Sequence, residues 1–414
     1  MIRKMNALGL VLITMLPFVA DAAFPSTFRS RPGKATDLEA IVEQGALHLS
    51  ATVQSEVIEP EKSPRIGSAE SPIRVFDPPQ GSTGIRFWVK GDTVDDYATV
   101  SLRSPEGNVL ARGYEAGFLV SDEWQEVVLY WGDFIQNNKP WGGGATGELA
   151  TTNQYLKIDD MSHIAWGRGF VFHKFDRYDW ELSVRDVEFI TSPDSRSVPE
   201  VFAKGLEHTR ERIQEGEDLN ILLLGDSITD FGKDRNYAHF AIESFGDDYT
   251  GNLTISNCGI AGHSARAGSI ILERSLMEMP DPNLVIIFYG ANDCKAVAKM
   301  GLTPEDFQAQ IERLIDLVRI KTGGQADILL ISGVPRLDKE RQSSTGDVEN
   351  ISDGIIAAAS SRQTGLLDTL DVYLDIEADE RVEFYRDTIH QNEAGQQFIG
   401  ELLSQKLQSS NRKF

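Results

Sequence analysis

Beyond position 180 this chain has no tryptophan, and in 414 residues it has only two cysteines, Cys258 and Cys294. So few cysteines exclude a small scaffold stapled by disulfides. Cysteine and histidine pairs at zinc-ligand spacing are missing as well, which removes the common structural zinc motifs. Positive charge is in short supply: 40 Lys and Arg stand against 63 Asp and Glu, for a net charge of −23. Nucleic acid and anionic membrane surfaces both need basic patches, so neither is expected as a partner. Past Ala22 no apolar run is long enough to cross a bilayer, so no membrane span is expected in the mature chain. Internal repeats and low-complexity tracts are also absent, which excludes repeat architectures.

The chain does carry an export pattern at its start. Arg3 and Lys4 supply a positive beginning, Ala7 to Val19 an apolar stretch, and Ala20-Asp21-Ala22 a small-residue cleavage site. This predicts a signal peptide over residues 1–22 and a periplasmic or extracellular protein. A single N-terminal anchor is the alternative reading of that stretch. No cysteine follows it, so a lipoprotein anchor is not predicted.

A chain of this length is expected to hold two domains. All six tryptophans (Trp88, Trp124, Trp131, Trp141, Trp166 and Trp180) fall in the first half. Over residues 24–191, short alternating runs such as Ile85–Val89, Glu126–Tyr130 and Trp180–Val184 are broken by Gly, Pro, Asp and Asn. Short strands separated by turn signals predict an antiparallel β-sandwich. Residues 192–219 form a connector opened by Pro193 and Pro199, with a helix expected from Val201 to Gln214. Residues 220–414 alternate strand and helix. Apolar runs lie at Ile221–Leu224, Leu253–Ser256, Leu284–Tyr289, Ile328–Ile331 and Leu366–Leu370. Thr303, Pro304 and Asp306 open a helix whose Phe307, Ile311, Leu314, Ile315 and Val318 share one face, and Gly323-Gly324 stops it. The fold class expected here is α/β, a parallel sheet with helices on both faces.

Chemistry concentrates at the strand ends. Gly225-Asp226-Ser227-Ile228-Thr229-Asp230 follows the first apolar run and puts a serine at the rim of the sheet, where ligand crevices form. Alone, such a hexapeptide equally describes a turn capping a helix. Three more segments accompany it: Asn257 to Arg266, Gly290-Ala291-Asn292-Asp293, and Asp387-Thr388-Ile389-His390 with Asn392 and Gly395 behind it. A hydroxyl is a poor nucleophile until a base takes its proton. A histidine can accept and return a proton at neutral pH, and His390 is the candidate base. A carboxylate must hold that base in one tautomer, and Asp387 lies three residues away. The oxyanion of a tetrahedral intermediate needs preorganised donors, each worth about 10²–10³ in rate. A backbone N–H in a glycine loop and an asparagine amide can supply them.

These four segments, in this order, resemble the SGNH (GDSL-type) hydrolase superfamily over roughly residues 220–405. The resemblance implies a flavodoxin-like three-layer α/β/α domain and a Ser–His–Asp triad. It assigns Ser227 as nucleophile, His390 as base and Asp387 as its partner. It gives the oxyanion hole to the Ser227 N–H, the Gly262 N–H and the Asn292 side chain. No cofactor and no catalytic metal are implied. Gly259 also fits a glycine slot, but Ala261 to Arg266 is similar to the A-G-R-S-A-R segment of rhamnogalacturonan acetylesterases, in which the second glycine is the donor. His263 stands where those enzymes have Arg, and Ala291 where they usually have His, so their substrate does not carry over.

Other readings stay open. Asn292 can instead cap a turn, and Asp387 can cap the following helix. His263 is either a substrate contact or a solvent-facing loop residue. Asp226 is expected to pin its loop by hydrogen bonds, and Lys295 and Arg336 are candidates for the cleft wall. In strand order 2-1-3-4-5, Cys258 and Cys294 follow strands on either side of the first. That puts them near ~10 Å apart, beyond the ~7 Å reach of a disulfide, and predicts free thiols.

In the first half, Ser121 to Val127 followed by Trp131-Gly132-Asp133-Phe134 resembles galactose-binding-like β-sandwiches of the carbohydrate-binding kind, as do His163–Gly167 and Trp180–Ile190. Such domains often hold a structural calcium, but no ligand set is readable here. Tryptophans in a sandwich are expected in its core. Trp141, beside Pro140 and three glycines, is the candidate exposed platform for a sugar ring. The resulting expectation is an exported serine esterase that removes O-acetyl or other small acyl groups from a polysaccharide or glycan. The alternatives are a lipase or arylesterase type of acyl-ester hydrolase and a non-catalytic glycan-binding protein with an idle hydrolase domain.

Overall fold

The computed structural model describes residues 29–32, 36–53, 67–70, 76–93, 96–103, 113–136, 161–168, 179–199, 205–232, 235–245, 249–294, 297, 302–337 and 343–409. Residues 1–22, where a signal peptide is expected, Trp141 and Lys295 lie outside them.

The first half folds as two antiparallel sheets. One is ordered Arg29–Pro32, Gly67–Glu70, His163–Arg168, Asp96–Arg103, Gly113–Val120, Ile135–Gln136. The other is ordered Thr36–Glu43, Ala46–Val53, Asp179–Ile190, Gly84–Gly91, Gln125–Tyr130. Period-two alternation turns Ile85, Phe87 and Val89 from one sheet toward Val100, Leu102 and Phe118 from the other, in a single core. Trp166 and Trp180 are fully buried there. Trp131 packs against the same core and donates its indole N–H to the Ser82 carbonyl at 2.8 Å. These aromatics fill the sandwich rather than face a ligand. Among the described residues, no three His, Cys, Asp or Glu side chains gather to hold a metal ion.

The connector is tied to the sandwich by Arg196, whose guanidinium reaches both oxygens of Asp133 at 2.9 Å. Of the expected Val201 to Gln214 helix, residues 201–204 lie outside the described residues, and a helix runs from Glu207 to Glu215. Leu206, just before it, is buried in the core of the second half, so the chain is already docked there.

The second half is a parallel sheet of five strands. In chain order they are Leu219–Gly225, Leu253–Asn257, Leu284–Phe288, Asp327–Ile331 and Gly365–Leu367, and across the sheet they run 2-1-3-4-5. Both faces are covered. Leu222, Leu224, Val285, Ile287, Ile328 and Leu330 pack into one core with the helices Pro304–Thr322 and Ser343–Arg362. Ile221, Leu223, Ile286, Leu329 and Ile331 pack into the other with Tyr237–Glu243 and Glu393–Gln408. This is the flavodoxin-like, three-layer α/β/α arrangement, and each fully buried Leu or Ile contributes about 1.5–3 kcal/mol.

Local signals act as read. Thr303 and Asp306 form a reciprocal capping box, and Gly323 ends that helix in the left-handed region at φ 63°. The last strand is shorter than its apolar run. Asp368 caps a new helix, accepting from the Asp371 N–H, so Leu370 is helical. Among the described residues no helix is long and apolar enough to cross a membrane.

Cys258 and Cys294 are both buried free thiols in one apolar core. Burial pushes the Cys258 thiol up, with the nearby Ser256 hydroxyl pulling the other way. Titration of the denatured chain without reductant is expected to find both thiols; a chain with none would contradict this packing.

Candidate active site

The strand Leu219–Gly225 ends at a glycine because nothing larger fits. A Cβ on Gly225 would lie 2.1 Å from Thr229 Oγ1 and 2.8 Å from the Phe288 carbonyl. The chain then turns into a single helical turn, Ser227–Asp230. Asp226 caps it, with Oδ1 accepting from the Ile228 N–H at 3.0 Å. Its Oδ2 accepts from the Ala291 N–H at 3.1 Å. One buried side chain therefore ties the serine loop to the loop after the third strand.

Ser227 is buried to 6 % exposure, with its Oγ 2.9 Å from His390 Nε2. His390 Nδ1 is 2.7 Å from Asp387 Oδ2. The other carboxylate oxygen of Asp387 accepts the Ile389 and His390 backbone N–H groups, each at 2.7 Å. Partial burial works against ionising Asp387. The backbone and ring hydrogen bonds from His390 and the Ile389 N–H outweigh it, and the carboxyl is held at about 2. Asp387 does not cap the helix that follows. That role falls to Asn392, whose side chain accepts from the Gly395 N–H at 3.0 Å and donates to the Glu383 carbonyl at 2.8 Å. Gly395 is required because a Cβ would sit 2.2 Å from the Phe384 carbonyl.

The two glycines of the second loop differ in kind. Gly259 donates its N–H to Asn257 Oδ1 at 3.0 Å, and a Cβ on it would strike Asp230 and Thr229 below 3 Å. It is a packing glycine whose donor is already committed. Gly262 has open space where a Cβ would go but a φ of +85°. It occupies the turn Ile260–His263, closed by the His263 N–H donating to the Ile260 carbonyl at 3.1 Å. A positive φ at the third residue is what a type II turn needs. Among the described residues, no hydrogen bond to protein uses the Gly262 or Ser227 backbone N–H. The loop is pinned by the Ala261 N–H donating to Asp230 Oδ2 at 3.0 Å and by Asn257 Nδ2 donating to the Thr229 carbonyl at 2.8 Å.

Asn292 is buried, and its Nδ2 donates to the His263 carbonyl at 2.9 Å. That bond fixes the amide between the second and third loops rather than within a turn of its own. His263 itself is only 1 % exposed, so the solvent-facing reading fails. Burial, with a contribution from the Arg274 charge, pushes its imidazole down to about 3, and it stays neutral at physiological pH. Asp293 is buried too. Desolvation and then the charge of Asp226 push its carboxyl up to about 7, against the Ala265 N–H it accepts.

Ser227, His390, Asp387, Gly262 and Asn292 thus come from four loops at the carboxyl edge of one sheet. Arg336 lines a small cavity of about 10 Å³ with Ile228, Ala291, Val334 and Ile389, and none of the five site residues lines it. Two neighbours had no motif to announce them. Phe231 sets its ring edge-on to His390 at 4.8 Å, and the Arg386 guanidinium lies 3.9 Å over Phe231. Arg386 Nε is also 3.8 Å from Asp387 Oδ2. A serine hydroxyl in contact with an imidazole, itself in contact with a carboxylate, is an arrangement that can transfer an acyl group.

Among solved structures the chain is similar to a lipase/acylhydrolase from Enterococcus faecalis at 20% identity and a TM-score of 0.38, over 46% of this chain and 95% of that one. It is similar to Axe2, an acetylxylan esterase from Geobacillus stearothermophilus, at 17% identity and 0.38, over 46% and 95%. A third is LAE5, an alpha/beta hydrolase from the metagenome of Lake Arreo, at 18% identity and 0.38, over 46% and 94%. No curated protein matches the chain. Residues 223–398 match the model of the GDSL-like Lipase/Acylhydrolase family, and that stretch is a GDSL-like lipase/acylhydrolase domain.

Proposed function

We propose that the protein is an exported serine esterase that removes acetyl or another small acyl group from a polysaccharide or glycan. The observation that carries the hydrolytic part is the line of contacts from Ser227 Oγ to His390 Nε2 at 2.9 Å and from His390 Nδ1 to Asp387 Oδ2 at 2.7 Å.

In this reading His390 takes the Ser227 proton as Oγ attacks the ester carbonyl. The carbonyl oxygen becomes an oxyanion, held by the Ser227 N–H, the Gly262 N–H and Asn292 Nδ2. Collapse breaks the C–O bond, and the sugar hydroxyl leaves with the proton from His390. Water, deprotonated by the same imidazole, then attacks the acyl-serine, and the acid departs as Ser227 regains its proton. Asp387, ionised throughout, stabilises the imidazolium and fixes its tautomer.

One feature supports a small acyl group. The Ala261 to Arg266 segment keeps the A-G-x-S-A-R pattern of a carbohydrate acetylesterase. Export rests on the Arg3 to Ala22 pattern.

Three outcomes are expected. A fluorophosphonate labels Ser227 in the wild type, and Ser227→Ala abolishes both labelling and turnover; activity above a few per cent in that variant means another nucleophile. Asp387 is already charged well below neutrality. Its ionisation therefore does not limit kcat/KM near neutrality, and His390→Ala is expected to abolish turnover; retained activity in that variant contradicts His390 as base. Acetate is released from acetylated polysaccharides, and p-nitrophenyl acetate is preferred over long-chain esters. The reverse preference would point to a lipase.

A further inference from the structure

Alternation along Asp96–Arg103 sends Ala98, Val100 and Leu102 into the sandwich core and turns Tyr97 out of the opposite face. A large ring on that face ought to meet water, yet Tyr97 is fully buried. Its cover comes from the hydrolase half. Tyr97 clusters with Ile270 and Ile271, and Ile135 and Ile260 pack against the group. Gly117, which sits opposite Thr99 on the adjacent strand, admits this approach. A Cβ there would lie 2.1 Å from the Ile270 carbonyl and 2.9 Å from the Tyr97 ring.

What the sandwich touches is the loop that carries Gly262. Ile260 opens the turn Ile260–His263, and its N–H donates to the Gly225 carbonyl at 3.0 Å. Ser264 caps the helix Ala265–Ile270 that leaves the turn and ends at the covered residue. The turn is therefore gripped on two sides. Gly225 and Asp230 hold it from the serine loop. Tyr97 and Ile135 hold it, through Ile260 and Ile270, from the other domain.

We propose that the sandwich domain is a positioning element for the oxyanion turn, with Tyr97 and Gly117 setting where the Gly262 N–H points. This rests on the esterase reading above. A misplacement of about 1 Å at a reacting centre costs about 10² in rate. Loosening one side of the turn is expected to lower kcat by about 10- to 100-fold while leaving substrate affinity nearly unchanged.

The test uses the full chain and p-nitrophenyl acetate, with active sites counted by end-point fluorophosphonate labelling so that kcat refers to competent serines. Tyr97→Ala removes the ring, Gly117→Ala wedges the two halves apart, and Tyr97→Phe restores the packing. The expected result is a kcat per labelled serine lowered by about tenfold or more in the first two, KM within about twofold, and wild-type values in Tyr97→Phe. Wild-type kcat in folded Tyr97→Ala and Gly117→Ala overturns the proposal. Where either variant loses cooperative unfolding, Ile135→Ala makes a smaller cut and is expected to lower the same parameter. Hydrogen exchange at the bonded amides of Ile260, Ala261 and His263 supplies a readout that needs no turnover. Faster exchange in Tyr97→Ala supports the coupling, and unchanged exchange overturns it. A wild type that hydrolyses no ester overturns the esterase reading instead, and the exchange result still decides this one.

Discussion

The two hydrogen bonds accepted by the buried Asp226 side chain are the constraint on which the rest of this site depends. Parallel strands end side by side, but their loops diverge, and nothing in a sheet forces them to converge over one point. Asp226 supplies that convergence by accepting from Ile228 at the start of the serine's helical turn and from Ala291 beside Asn292. At 1 % exposure it cannot trade either bond for water, so losing one leaves a buried polar group unsatisfied. The second loop is joined to the same knot through Asp230 and Asn257. The proposed oxyanion donors thus sit in loops held by the Asp226, Asp230 and Asn257 side chains.

The proposed base arrives from the other end of the domain. His390 sits 163 residues beyond Ser227 in sequence, and its loop is bounded by the helix Glu393–Gln408. Gln396 on that helix donates to the Ile228 carbonyl at 3.0 Å and accepts from the Tyr237 N–H at 2.9 Å. A single buried amide therefore registers the His390 loop against the Ser227 loop. The Asn392 cap and the bare Gly395 bring the helix close enough for that reach.

Much of this was legible because the relevant signals are local. Apolar runs mark buried parallel strands, a capping box marks a helix start, and serine, histidine and aspartate at strand ends announce what they can do together. What the sequence left open depends on tertiary context. Gly259 and Gly262 are the same residue three positions apart. One is demanded by packing and the other by a positive φ, and only the folded loop distinguishes them. His263 reads as polar and loop-borne, yet neighbouring elements bury it and strip its charge. The run Leu366–Leu370 overshot its strand because Asp368 caps the next helix inside it. Phe231 and Arg386 carry no spacing signal at all, since their places against His390 and Asp387 follow from how two distant loops fold together.

The buried Tyr97 face bears on how such a chain can be inherited. Ile270 and Ile271 are covered by a domain that a freestanding hydrolase would lack, and Gly117 leaves no room for a side chain where the two halves touch. The halves are therefore not interchangeable beads on a string. A recombination event that exchanged the sandwich would have to bring an outward-facing ring and a bare backbone position in matching register, or else repaint the apolar helix end with polar residues. Modularity in this architecture is limited by a patch of a few side chains rather than by the connector between the domains.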